Sequence, residues 1–240
     1  MFVFKNTTKM KYTTVFFDLD DTLVDTLQNS KEALIELYAE YKIDRFFVSF
    51  EAFFEVFVRT NIHLWNLYEH NHIDKQTLKE ERFKQALDGF WYLTSKESFE
   101  MNEDFLTKVS NKRNIIHGVN QMLEYLYPKY QLYILSNGFE EVQAKKLDSV
   151  KLTHYFKKII LSDHIGINKP DAQLFIHALN EAKISNAQAI VVGDNINTDI
   201  IGAKNSNIDQ VWYNPRKVID HTGVKPTYSI HELCELRDIL

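Results

Sequence analysis

Three carboxylates and a threonine end the apolar run Val15-Phe16-Phe17-Asp18-Leu19-Asp20-Asp21-Thr22-Leu23. Asp18 and Asp20 both follow an extended segment, so both side chains can point into one crevice. Two carboxylates that close repel each other unless a cation or a proton intervenes. Mg²⁺ suits an all-oxygen site of this kind. The plainer reading of this segment alone is an acidic turn after a strand. Further polar groups follow other short apolar runs: Ser136 and Asn137 after Gln131–Leu135, Lys169 ahead of Pro170, and Asp194 and Asp199 after Ala189–Val192. Together these residue types offer a nucleophile, an acid/base, hydroxyl and amide donors, a fixed cation and metal-binding carboxylates, which are the parts phosphoryl transfer needs.

The elements that must position them alternate. Tyr12–Phe17, Gln131–Leu135, Lys158–Leu161, Ala189–Val192 and Asp209–Tyr213 read as strands from their β-branched and aromatic content. Val119–Tyr127, Glu140–Asp148, Asp171–Ala182 and Asp199–Asn205 read as helices between them. Alternation of this kind predicts an α/β fold, a Rossmann-like three-layer core with a parallel sheet and right-handed crossovers. In such a sheet the strand ends lie along one edge, where scattered polar residues converge. Between the first strand and the rest lie roughly 85 residues without a strand, far beyond an ordinary connection. Gln28–Tyr41, the run from Phe50 to Val58, Leu78–Tyr92 and Phe99–Val109 have helical spacing. Residues 26–110 are therefore expected to be an inserted helical domain, with 1–25 and 111–240 forming the core. The stripe Phe50, Phe53, Phe54, Phe57 and Val58 reads as helix packing in preference to a ligand box.

The 240 residues suit a core plus a smaller insert. A net charge of −5 without a long basic run argues against a nucleic-acid polymer as partner. The lone cysteine, Cys234, excludes an intrachain disulfide and fits a reducing, cytoplasmic setting. It falls in an apparent C-terminal helix and is expected to pack there. No apolar run reaches membrane-spanning length. The first residues lack an apolar core of signal-peptide length, and either Met1 or Met10 could be the working start. Monomer and homodimer stay open.

The four polar clusters resemble the four motifs of the haloacid dehalogenase (HAD) superfamily, in order and over nearly the whole chain: Asp18-Leu19-Asp20-Asp21-Thr22-Leu23, Leu135-Ser136-Asn137-Gly138, Lys169-Pro170 and Gly193-Asp194-Asn195-Ile196-Asn197-Thr198-Asp199. The insert resembles the C1-type helical cap. The resemblance implies that Asp18 attacks phosphorus and forms an aspartyl-phosphate. It implies that Asp20 protonates the leaving oxygen and then deprotonates water. That role needs a neutral carboxyl first, and so a raised pKa, which substrate phosphate nearby can supply. Asp18, Asp194 and the Asp20 backbone carbonyl are implied Mg²⁺ ligands, with Asp199 reaching the metal through a water or orienting the groups that hold it. Ser136 and the Asn137 N–H are implied to hold a phosphate oxygen, Lys169 to neutralise charge, and Thr22 to steady the loop around Asp20. The carboxylate at position 20 disfavours dehalogenation.

A small phosphorylated substrate follows. Gln28, Asn61, Trp65, Asn66 and Tyr68 are the candidates on the insert for reading its leaving group. Trp65 could stack on a planar base or belong to the core of the insert. The aromatic-rich insert and the Ser136-Asn137-Gly138-Phe139 turn resemble the pyrimidine 5′-nucleotidase branch, which implies a nucleoside 5′-monophosphate. Phosphoglycolate or a sugar phosphate is the alternative ester. A phospho-accepting switch and a non-catalytic binding protein are alternatives of another class. A switch needs a long-lived phosphoryl-aspartate and has no use for Asp20 or for so large an insert.

Overall fold

The computed structural model describes residues 11–240. The choice between Met1 and Met10 lies outside the described residues. In chain order the elements are β1 (Thr14–Phe17), α1 (Thr26–Glu40), α2 (Phe50–Glu69), α3 (Lys75–Ala86), α4 (Ser95–Ser110), α5 (Val119–Leu126), β2 (Gln131–Ser136), α6 (Glu140–Ser149), β3 (Lys158–Leu161), α7 (Ser162–Ile165), α8 (Ala172–Ala182), β4 (Ala189–Gly193), α9 (Ile201–Asn205), β5 (Asp209–Tyr213) and β6 (Tyr228–Ile230).

The strands form one parallel sheet in the order β3-β2-β1-β4-β5-β6. Alternation along β1 sends Val15 and Phe17 to one face, against Met122, Leu123 and Leu126 of α5. It sends Phe16 to the other face, against Leu174, Phe175 and Ala178 of α8. Both faces are covered, as a parallel sheet requires. β1 is central, and Phe17 is level with Ile134 of β2 and with Val192 of β4. Asp18, Leu135 and Gly193 continue that row, and Ser136 and Asp194 stand one residue beyond it. The polar clusters thus share the carboxyl edge of the sheet at the strand where its order reverses.

Between β1 and β2 the regular elements of the described chain are all helical. Phe53 and Phe57 of α2 are buried against Phe83 of α3 and Phe105 of α4. The Phe57 ring centroid lies 5.1 Å from that of Phe83 and 5.2 Å from that of Phe105. The aromatic stripe is packing, as its spacing predicts. Phe139 and Val142, from the segment after β2, join this same cluster, so the insert and the sheet's carboxyl edge share apolar contacts.

Four local readings need correction. The helix predicted over 78–92 ends at Ala86, because Gly89 turns the chain at φ +79° and a Thr94/Glu97 capping box starts α4 afresh. The helix predicted from Asp199 is preceded by a π turn over Ile196–Ile200, so that Asp199 sits in an irregular turn and α9 starts at Ile201. A sixth strand, β6, was not predicted; it is only three residues long. Cys234 is exposed in a 3₁₀ turn over Leu233–Asp238 and does not pack. Among the described residues no helix is long and apolar enough to cross a membrane.

Candidate active site

A cleft of about 410 Å³ lies between the carboxyl edge of the sheet and the inserted helices. Its floor carries Asp18, Ser136, Asn137, Lys169, Asp194 and Asp199. Lys169 Nζ is 3 % exposed as a residue and donates to Asp18 Oδ1 (2.6 Å), Asp199 Oδ1 (2.6 Å) and the Leu135 carbonyl (3.0 Å). Burial would lower its pKa, but Asp18 and Asp199 hold it above the ordinary lysine range. Asn137 fixes this lysine from behind: its Oδ1 accepts from the Lys169 N–H (2.8 Å) and its Nδ2 donates to the Lys169 carbonyl (3.1 Å).

Carboxylate oxygens of Asp18, Asp194 and Asp199 lie within 4.8 Å of one another. Burial raises Asp18 well above the carboxylate range, and Asp199, Asp194 and Asp20 add to this against the pull of Lys169. Burial, then Asp199 and Asp21, push Asp194 up to about 8. Three carboxylates against one ammonium leave a buried excess of negative charge, which a hard divalent cation would neutralise. The Asp20 side chain stands apart from this group. Asp199 uses Oδ1 on Lys169 and Oδ2 on the Asn195 N–H (3.1 Å). Gly193 is needed here, since a Cβ at that position would collide with the Asp199 carboxylate.

Thr22 is placed differently from the expectation. Its hydroxyl donates to Asp194 Oδ1 (3.3 Å) and accepts from the Asp194 N–H (3.1 Å), so it steadies Asp194 and not the Asp20 loop. Asp20 is held by residues that sequence reasoning missed. Lys146 Nζ donates to its Oδ1 (2.5 Å), Gln143 Nε2 donates to its Oδ2 (2.6 Å), and the Thr26 hydroxyl also donates to Oδ1. Burial alone would raise Asp20, but Lys146 and these hydrogen bonds hold it below the ordinary carboxylate range. The raised pKa expected for Asp20 is therefore corrected for the protein without substrate. Gln143 also donates to Ser136 Oγ (2.7 Å), which accepts from the Gly138 N–H as well (3.1 Å). With two bonds accepted, the Ser136 hydroxyl proton is free to be donated into the cleft. A Cβ at Gly138 would strike the Gln143 amide. A signal for this pair existed: Gln143 and Lys146 sit among Val142 and Leu147 on the inward face of α6.

The roof departs further from expectation. Gln28 is exposed; its N–H is capped by Asp25 and its amide donates to Glu32, and it does not line the cleft. Tyr68 does not line it either; its carbonyl accepts from Asn168 Nδ2 (3.1 Å) where α2 meets the core. Asn61, Trp65 and Asn66 do line the cleft. The Trp65 ring is stacked on Phe139 at 5.2 Å, so one face of the indole is already covered. Lining residues that were not expected include Glu69, whose carboxylate accepts from Asn137 Nδ2 (3.1 Å) and is raised by burial, and Arg82.

A central strand ending in an Asp-x-Asp pair, a serine after the neighbouring strand, a buried lysine and a fourth-motif aspartate define a haloacid dehalogenase-like hydrolase. The chain belongs to that family, whose sequence profile matches residues 15–213. Within the family it is a phosphoric monoester hydrolase. It is 30 % identical over 234 residues to the pyrimidine 5′-nucleotidase PynA of Streptococcus pneumoniae, covering 96 % of each chain. It is 27 % identical to the pyrimidine 5′-nucleotidase YjjG of Escherichia coli, covering 96 % of this chain and 99 % of that one. The HAD-hydrolase YfnB of Bacillus subtilis, solved bound to magnesium, superimposes with a TM-score of 0.86 at 25 % identity over 96 % of this chain and 99 % of its own.

Proposed function

We propose that the protein is a Mg²⁺-dependent phosphatase that hydrolyses nucleoside 5′-monophosphates through an aspartyl-phosphate on Asp18, and that residues 26–110 act as the cap over the core of 1–25 and 111–240. The observation that carries the chemistry is the pairing of Asp18 with Lys169 at 2.6 Å on the cleft floor, with a second, separately held carboxylate at Asp20. Relatives named as pyrimidine 5′-nucleotidases over their full length support the choice of ester.

Asp18 and Asp194, with the Asp20 carbonyl, would hold Mg²⁺, which supplies positive charge opposite the phosphate oxygens when bound; Asp199 orients Lys169 beside them. The unshared carboxylate oxygen of Asp18 attacks phosphorus, and the ester P–O bond breaks. The leaving oxygen takes the Asp20 proton. In the second step Asp20 takes a proton from water, the water oxygen attacks phosphorus, and the bond to Asp18 breaks to release inorganic phosphate. Lys169 and the Ser136 hydroxyl, with the Asn137 N–H, neutralise and hold the phosphoryl oxygens throughout. The free protein keeps Asp20 ionised through Lys146. A phosphate dianion arriving beside it opposes that ionisation and favours the protonated form the first step requires.

The test is a panel of phosphate esters with Mg²⁺ and with EDTA, for wild type and Asp18→Asn. UMP and dTMP should be turned over ahead of phosphoglycolate and hexose phosphates, and chelation and the substitution should each abolish turnover. An active Asp18→Asn enzyme refutes the nucleophile. A preference for hexose phosphates or phosphoglycolate refutes the nucleotide.

A further inference from the structure

Arg82 is the largest fully buried side chain among the described residues, at 1 % exposure, yet it belongs to no ion pair there. Its Nη1 donates to Asn102 Oδ1 (2.5 Å), and its guanidinium lies 5.6 Å from the Phe105 ring centroid. Its Nε–H has no partner. The nearby carboxylate of Glu103 is paired with Lys79 at 3.1 Å. Leaving a buried guanidinium donor unpaired is costly. Burial pulls Arg82 down to about 9, which still leaves it cationic at neutral pH.

Arg82 lines the cleft, and so does a second orphan, the Asn61 side-chain oxygen, which is buried without a donor. The contact between Phe57 and Phe83 sets the register of the α2/α3 hairpin. That register puts Asn61 and Arg82 within roughly one helical turn of each other along the pair. Phe105, Leu106 and Val109 give the same cleft an apolar stretch of wall, beside the polar Asn66 and Glu69. One unsatisfied donor and one unsatisfied acceptor in a cleft with such a stretch define what is missing. A carboxylate or second phosphate would satisfy Arg82 but would set oxygen against the Asn61 oxygen. A polyol would press its remaining hydroxyls onto Phe105, Leu106 and Val109. A flat heteroaromatic ring with a carbonyl beside an N–H or amino group satisfies both orphans and covers the apolar surface.

The structure assigns Arg82 and Asn61 as the specificity-determining pair of the cleft, Arg82 donating to a carbonyl oxygen of a pyrimidine base and Asn61 accepting from its neighbouring N–H or amino group. This rests on the nucleotide reading above and names the residues that would enforce it. The experiment compares kcat/KM for UMP with that for ribose 5-phosphate, which keeps the sugar and phosphate and lacks the base. It uses the full chain with Mg²⁺, for wild type, Arg82→Met and Asn61→Leu, with thermal melts on each. Wild type should favour UMP, and the UMP-to-ribose-5-phosphate ratio should fall roughly ten- to a hundred-fold in Arg82→Met and by a smaller factor in Asn61→Leu. A wild type with no preference for UMP refutes the nucleotide reading itself. A wild type that prefers UMP, with the ratio unchanged in both variants, overturns the assignment alone. If Arg82→Met does not fold, Asn61→Leu decides: a lowered ratio supports the pair and an unchanged ratio overturns it.

Discussion

On the floor of the cleft, Lys169 Nζ has three partners and Asp20 has three donors. On the roof, Arg82 Nε and the Asn61 oxygen have none. The floor is a closed electrostatic circuit whose residual need is positive charge. The roof mixes aromatic and aliphatic packing with polar side chains, and these two atoms find no protein partner there. A site divided in this way keeps the reacting groups preorganised whatever ester arrives, and it leaves selection of the ester to a surface completed only by the substrate. Under the proposed function, the same division gives the reaction class to position 18 and the choice of leaving group to the insert.

The comparison breaks first at Asp20. Asp20→Asn should lower kcat by roughly 10²- to 10⁴-fold, the range for loss of a general acid/base. Stopped-flow or steady-state hydrolysis of UMP measures it, and retention of wild-type turnover would mean that the floor needs no proton carrier. On the roof, Phe57→Ala empties the contact between Phe83 and Phe105 and should cost about 3–5 kcal/mol in chemical unfolding. A loss below about 1 kcal/mol would mean that the insert has no packed core able to hold Arg82 in place.

A smaller effect joins the two regions. Lys75 and Lys79 of α3 reach Glu141 of α6 at 2.9 and 2.8 Å. Burial works to raise Glu141, but both lysines hold it down to about 2. A carboxylate depressed on folding stabilises the folded state above its ordinary pKa near 4.5, and that contribution disappears as pH falls towards about 2. Because Glu141 is partly exposed, its share is about 1 kcal/mol or less. Glu141→Gln should therefore melt slightly below wild type at neutral pH and coincide with it near the lower limit; a gap that persists there contradicts the assignment. The smallest effect belongs to Gln28. Exposed and turned from the cleft, Gln28→Ala should change stability by less than about 0.5 kcal/mol and leave the ester preference intact, as a substrate panel would show.

Legibility in the sequence follows the same division. The floor could be read because a parallel sheet brings its strand ends to one edge, so that Asp18, Ser136 and Asp194 converge by topology, while Lys169 reaches them from the loop after α7. What could not be read there was which neighbour each group would bind: Thr22 turned to Asp194, and Lys146 took Asp20. Those choices depend on side-chain directions across elements far apart in sequence. The roof was mostly hidden. Arg82 lies in Lys79-Glu80-Glu81-Arg82-Phe83-Lys84, which reads as a solvated helical face, and only the packing of α3 between α2 and α4 turns Arg82 inward. Gln28 was overvalued because a polar residue at a helix start resembles a binding group and is more simply part of the cap hydrogen bonding. Trp65 was legible as an aromatic wall, but not that Phe139 would cover one of its faces.

The central claim is that Asp18 carries the phosphoryl group. It is tested most directly by quenching the enzyme during turnover of UMP, reducing with borohydride and sequencing the Asp18 peptide by mass spectrometry. An acyl phosphate at Asp18 is reduced to the alcohol, so residue 18 should read as homoserine only when substrate is present, with residue 20 of the same peptide still aspartate. Active turnover with residue 18 recovered solely as aspartate, or with the reduced residue at position 20, would contradict the account.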